Sequence, residues 1–165
     1  MGRIRLVPSH SRYFWGLHLL ATLHGLPVGF ALTGAKADER QVLLDSLPAD
    51  AGLAAGRRQI LIGDKNYFGA EFEATLAATA LTLLRPARKG ELDRAGSSFL
   101  KPLRQTVESI FNTFKGQLDL EHHGGKTPAG IMIRVRQRIL ALTAAIWHNE
   151  RTGQPVKRSL LAYDH

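Results

Sequence analysis

The chain has 165 residues, no cysteine, and 22 Lys and Arg against 14 Asp and Glu, for a formal net charge of +8. With 44% apolar residues it can build one ordinary globular core, which excludes a disordered tail or a disulfide-stapled miniprotein; the missing cysteines exclude thiolate zinc sites and cysteine nucleophiles. Residues 1–82 carry 8 basic and 7 acidic side chains and residues 83–165 carry 14 and 7, so a polyanion is expected at the second half, nucleic acid ahead of an anionic membrane surface.

Met1-Gly2-Arg3 opens a short mixed stretch without the succession of a secretory signal. The most apolar segment, residues 16–33, is broken by His18, His24, Gly25 and Pro27, so no membrane span is expected and the chain is placed in the cytoplasm. Residues 13–23 and 28–33 are rich in Leu, Phe, Val and Thr and read as a β-hairpin, with Gly25 free to take positive φ and Pro27 stopping the pairing. The hairpin lies so near Met1 that no strand is expected before it. Residues 38–47 carry Val42, Leu43 and Leu47 at helical spacing ahead of Pro48, and 48–58 form a connection.

Ile60-Leu61-Ile62-Gly63 suits a buried central strand running into Asp64, followed by a loop at 65–69 and a helix over 71–79 with Phe72 and Leu76 four apart. Residues 81–84 are a second buried strand, and 85–98, basic and without period, are a surface loop or a mobile segment. Helical pattern returns near Leu100. Thr127-Pro128 is an N-cap with proline at the first helical position, opening a helix whose inner face is Ile131, Val135, Ile139, Leu142 and Ile146. The order predicts a mixed α/β domain over 1–150 and a polar tail over 151–165.

Asp64 stands where a strand gives way to a loop, the place where an α/β sheet presents a catalytic or metal-binding carboxylate, and equally where an aspartate closes a turn. Projected at about 100° per residue from Val107, the side chains of Ile110, Phe111, Phe114 and Leu118 share one apolar stripe, while Arg104, Glu108 and Lys115 fall at roughly 60°, 100° and 80° along its flank. An Arg104–Glu108 surface pair has the less favourable order against the helix dipole, so the row reads as contacts to an extended anionic ligand. His122-His123 lacks a third spaced ligand and Gly124-Gly125-Lys126 lacks the full phosphate-loop pattern, so that stretch reads as a loop or a DNA-backbone contact. His18 and His24 read as structural. Arg134, Arg136 and Arg138 suit a solvated helix face and a DNA backbone equally.

Gly63-Asp64-Lys65-Asn66-Tyr67-Phe68-Gly69 resembles the second-aspartate motif of bacterial insertion-sequence transposases of the DDE type. Arg104-Gln105-Thr106-Val107-Glu108 followed by Lys115 resembles their third-carboxylate signature of Arg, three residues, Glu, six residues, Lys, and Glu108 lies 44 residues after Asp64. Gly16-Leu17-His18-Leu19, His24-Gly25-Leu26-Pro27 and Leu32-Thr33-Gly34-Ala35 resemble the second and third strands of that domain, so the likeness runs from about Arg5 to Glu150. Two departures stand out: Lys101 holds the position where the family commonly has Tyr, and the family's first catalytic aspartate, on the strand before the hairpin, has no counterpart.

The resemblance implies a ribonuclease-H-like mixed sheet flanked by helices, here without its first strand, and Mg²⁺ or Mn²⁺ held between carboxylates. Asp64 and Glu108 would be metal ligands, and Arg104 and Lys115 would hold a DNA phosphate or the third carboxylate. Lys65 and Tyr67 would shape the strand-end loop and, with Lys101 and Lys126, meet DNA. The implied partners are double-stranded DNA, as transposon ends and target, and a second copy in a homodimer at the nucleoid. The implied reaction is metal-dependent strand cleavage and transfer, inactive in this chain for want of the first aspartate. The alternative is a basic, non-catalytic nucleic-acid-binding α/β module in which Asp64 closes a turn and Glu108 is a helix-surface partner.

Overall fold

A computed structural model describes residues 3–6, 15–34, 36–47, 59–96, 99–155 and 160, with backbone alone at 3–6, 15 and 101–104. Three strands, β1 (Arg3–Leu6), β2 (Trp15–Ala21) and β3 (Pro27–Gly34), form an antiparallel sheet in chain order. A strand therefore does precede the hairpin, against expectation: Arg3 pairs with His18 and Leu6 with Trp15. Four residues alternating Arg, Ile, Arg, Leu are too short a period to read as a strand alone, and the edge of β2 supplies the backbone partners that make them one. The β2–β3 turn uses Gly25 at φ 90°. Pro27, expected to stop the pairing, opens β3 opposite Ala21, beside a register shift at Leu20 and Ala21; the first residue of a strand is one place where a missing N–H is tolerated.

Asp38 caps α1 (Glu39–Ser46) by accepting the Arg40 N–H at 2.8 Å. The next strand, β4 (Gln59–Ile62), runs through helix α2 (Ala70–Ala78) into β5 (Leu81–Leu84), and β4 pairs with β5 in parallel from Gln59 opposite Leu81 to Ile62 opposite Leu84. This is a βαβ unit. The strands stand where the two short apolar runs predict them, but β4 is not the expected buried central strand: among the described residues it pairs with β5 alone, which leaves Ile60 68% exposed. The mixed α/β class holds, but the described strands form a three-stranded and a two-stranded sheet and not one continuous mixed sheet.

Helix α3 (Leu100–Asn112) passes into a π-helical turn, Thr113–Gln117, closed by the Leu118 N–H on the Thr113 carbonyl at 3.0 Å, and then into a 3₁₀ turn, Leu120–His122. Helix α4 (Pro128–Arg151) opens on the predicted cap, Thr127 Oγ1 accepting the Gly130 N–H at 3.1 Å. Its expected inner face is present: Ile131, Val135, Leu142 and Ile146 are buried and Ile139 is partly so.

The core has two parts. Leu17 and Leu19, two apart on one face of β2, pack with Ile110, Phe114, Leu120 and the inner face of α4. Leu43, Tyr67, Phe72 and Leu76 pack with Leu61, Leu81 and Leu83 of the parallel pair. Asn149 is fully buried and both polar atoms of its side chain lack a partner, a loss of about 1–3 kcal/mol.

Candidate functional site

The strand-end loop after β4 is built from beneath. A Cβ on Gly63 would stand 3.1 Å from Tyr67 Cδ2, so glycine lets the Tyr67 ring close under the turn. Tyr67 is only 4% exposed and lies 6.3 Å, centroid to centroid, from Phe72. The ring is buried beneath the turn, in the core formed with Phe72, Leu61 and Leu81. Above it, exposed Asp64 accepts the Asn66 N–H on Oδ1 at 2.7 Å, the turn-closing role its residue type allows. Lys65 is exposed beside it.

Phe68 is held from outside. Arg40 donates from Nη1 to the Phe68 carbonyl at 3.1 Å while pairing with Asp38 at 2.6 Å. Arg88, four residues past β5, places its guanidinium carbon 3.6 Å from the centre of the Phe68 ring. Residues 85–96 have no regular secondary structure, as expected, and are tied to α2 by ion pairs. Arg85, 2% exposed, joins Glu73 of α2 at 3.0 Å and Glu91 at 2.7 Å, and Arg94 reaches Glu73 at 2.7 Å.

The Arg85 guanidinium, and after it the Arg88 backbone N–H, hold the Glu91 carboxyl down to about 2. A carboxylate depressed on folding adds stability above its ordinary value of 4.5 and loses that contribution as pH falls through the folded value. Amide protection factors over 85–94 are therefore expected to fall between about pH 5 and pH 2, ahead of those in β2 and β3. Glu91→Gln should show low protection there already at neutral pH; equal protection in variant and wild type would refute the anchoring role.

Glu108 is exposed on α3, one residue beyond Val107. Thr106, Val107, Ile110 and Phe111 of α3 line a cavity of about 230 Å³ whose other walls include β4 through Ile62 and the end of β2. Asp64 and Glu108 thus follow, by two residues and by one, side chains that line the same cavity. Lys101 and Arg104 lie on the α3 backbone, and their side chains are outside the described residues.

The π turn that begins at Thr113 advances by less than 100° per residue, so Lys115 stands a few tens of degrees short of the angle projected from Val107. Lys115 Nζ meets Glu121 at 2.9 Å, with both side chains about half exposed. Arg138 closes the same corner, donating to the carbonyls of Leu118 at 2.7 Å and Asp119 at 3.2 Å, which makes it a structural member of the Arg134, Arg136, Arg138 set. His123 is buried and accepts the Gly125 N–H on Nδ1 at 2.9 Å; burial, then Arg138, lowers its pKa and keeps it neutral. His18 is structural as expected, 2.9 Å from Thr33 Oγ1. Lys126 is exposed just before the α4 cap.

Among the described residues no three His, Asp or Glu side chains gather into a group able to hold a metal ion. No helix among them is long and apolar enough to cross a membrane.

No curated protein and no solved structure matches the chain. The family profile of the transposase DDE domain matches residues 8–144, a span that takes in β2 through most of α4 with both Asp64 and Glu108. A match over that much of the sequence, on a mixed α/β framework, assigns the chain to the transposase DDE domain family.

Proposed function

We propose that this chain acts on double-stranded DNA in transposition and supplies two of the acidic groups of a metal-dependent strand-cleavage and strand-transfer site, Asp64 and Glu108. The observation that supports this is the shared cavity: Gln59–Ile62 of β4 and Thr106, Val107, Ile110 and Phe111 of α3 are among its walls, and the two motifs adjoin these residues in sequence. Arg104, Lys115, Lys65, Lys101 and Lys126 are the proposed DNA-backbone contacts. The Lys115–Glu121 pair is a surface pair worth about 0–1 kcal/mol, so a phosphate can take the place of Glu121. A homodimer at the bacterial nucleoid is the assembly and place we propose, since two transposon ends must be joined; the catalytic unit is residues 1–150, with 151–165 as a tail.

Two carboxylates alone hold Mg²⁺ or Mn²⁺ poorly, because hard cations take six or more oxygen ligands. Titration of the chain with Mn²⁺, followed by the loss of the free-ion paramagnetic resonance signal, is expected to give a dissociation constant of roughly 10⁻³ M. Asp64→Asn and Glu108→Gln should each weaken it, and the double variant should lose less than the sum, the mark of one shared ion. Unchanged binding in both single variants would favour the competing basic module without metal chemistry, to which the Asp64 to Asn66 turn bond lends support.

A further inference from the structure

We propose that Arg88, held over Phe68 at the carboxyl ends of β4 and β5, binds a phosphate of the DNA backbone beside Asp64. The assignment rests on the DNA-acting reading above and adds a residue that the family motifs in this sequence do not contain. Four observations carry it.

The first is position. Ile62 faces Leu84 in the parallel register, so Asp64 and Lys65 leave β4 at the same end of the sheet where residues 85–89 leave β5. Ligands of α/β sheets bind outside this end, where the loops diverge.

The second is charge left over. Arg40, Arg85 and Arg94 each have a carboxylate partner, and Asp38, Glu73 and Glu91 are taken up by them. Among the described residues, the Arg88 guanidinium has the Phe68 ring and no carboxylate within ion-pair distance. Lys89 next to it and Lys65 across the sheet end are exposed and carry the same sign.

The third is preorganisation. The Arg88 N–H donates to Glu91 Oε2 at 2.8 Å, Glu91 is fixed by buried Arg85, and the ring beneath the guanidinium is fixed by the Arg40 bond to the Phe68 carbonyl. A side chain restrained on both its backbone and its head group loses little freedom when a ligand arrives. The fourth is chemistry: the planar guanidinium fork matches two phosphate oxygens, and stacking on an aromatic face leaves its in-plane N–H groups available.

The test is fluorescence anisotropy of the full chain with labelled duplex oligonucleotides of unrelated sequence, over a KCl series. A phosphate contact gives a slope of about −0.9 in log K against log salt, so Arg88→Ala should lower the magnitude of the wild-type slope by about one and weaken binding by about tenfold at moderate salt. Arg88→Lys should restore the slope and only part of the affinity. Phe68→Ala, which removes a positioning residue, should weaken binding and leave the slope in place. These losses should be the same on every duplex sequence, because a phosphate carries no base information. If wild type binds duplex DNA and Arg88→Ala keeps its slope and affinity, the Arg88 assignment fails while the DNA reading stands; a loss confined to one sequence overturns it in favour of a base contact. If wild type does not bind duplex DNA, both fail.

Discussion

Supercoiled DNA carrying a pair of transposon ends, incubated with the 165-residue polypeptide and Mg²⁺, is expected to remain neither nicked nor joined. In-line displacement at a phosphodiester develops charge on the entering and leaving oxygens together, and a cation pair stabilises both only when the carboxylates hold it in place. No acidic residue precedes Asp38 in this sequence, and the strand ahead of the hairpin reads Arg-Ile-Arg-Leu. Under the proposed function, Asp64 and Glu108 therefore gain no third carboxylate from the residues before Asp38. For a catalytic set that acts as a unit, the want of one member lowers turnover by about 10³-fold or more, which would put cleavage at background. Gel analysis of the plasmid, with and without Mn²⁺ in place of Mg²⁺, reads the result. A metal-dependent nick at the transposon end that disappears in Glu108→Gln would show that two carboxylates suffice and would sink this expectation.

Phe114→Ala is expected to cause the largest loss of stability among single core truncations near the site. Phe114 is fully buried in the π turn and lies in the core cluster that joins β2, α3 and α4. Truncating a buried phenylalanine removes about 3–5 kcal/mol through lost transfer energy and the cavity left behind. That is a large share of the 5–15 kcal/mol typical of a whole domain, and corresponds to a fall in Tm of about 10 °C or more at this chain length. Phe99→Ala supplies the comparison: Phe99 is 68% exposed, so its loss should stay within about 0.5 kcal/mol. Urea unfolding of both variants measures the difference, and equal costs would mean that the π turn is not seated in the core as described.

The local signals in the sequence located most elements well. Thr127 and Pro128 determine the start of α4 within one residue, because an N-cap hydroxyl and a proline without an N–H both satisfy the helix end locally. The apolar runs at 60–63 and 81–84 mark the positions of β4 and β5, and the structure adds the Asp38 cap of α1 and the parallel pairing. Asp64 and Glu108 were legible as candidate site residues from their strand-end and helix-flank positions together with the motif spacing. Arg88 was not, since an arginine in an irregular basic stretch looks like any solvated residue until Phe68, twenty residues earlier, is seen beneath it.

By itself, then, the sequence determined the α/β class, the order of the principal helices and strands and the cap of α4, all features set by contacts a few residues apart. The tertiary structure alone decided the rest. It made a strand of Arg3–Leu6 by offering the edge of β2, and it ended the α-helical period of α3 in a π turn at Thr113. It buried Tyr67 under Gly63 and tied the loop after β5 to α2 through Arg85. Each of these depends on a partner far along the chain, and a hydrogen bond or a buried contact with such a partner has no period or spacing to announce it.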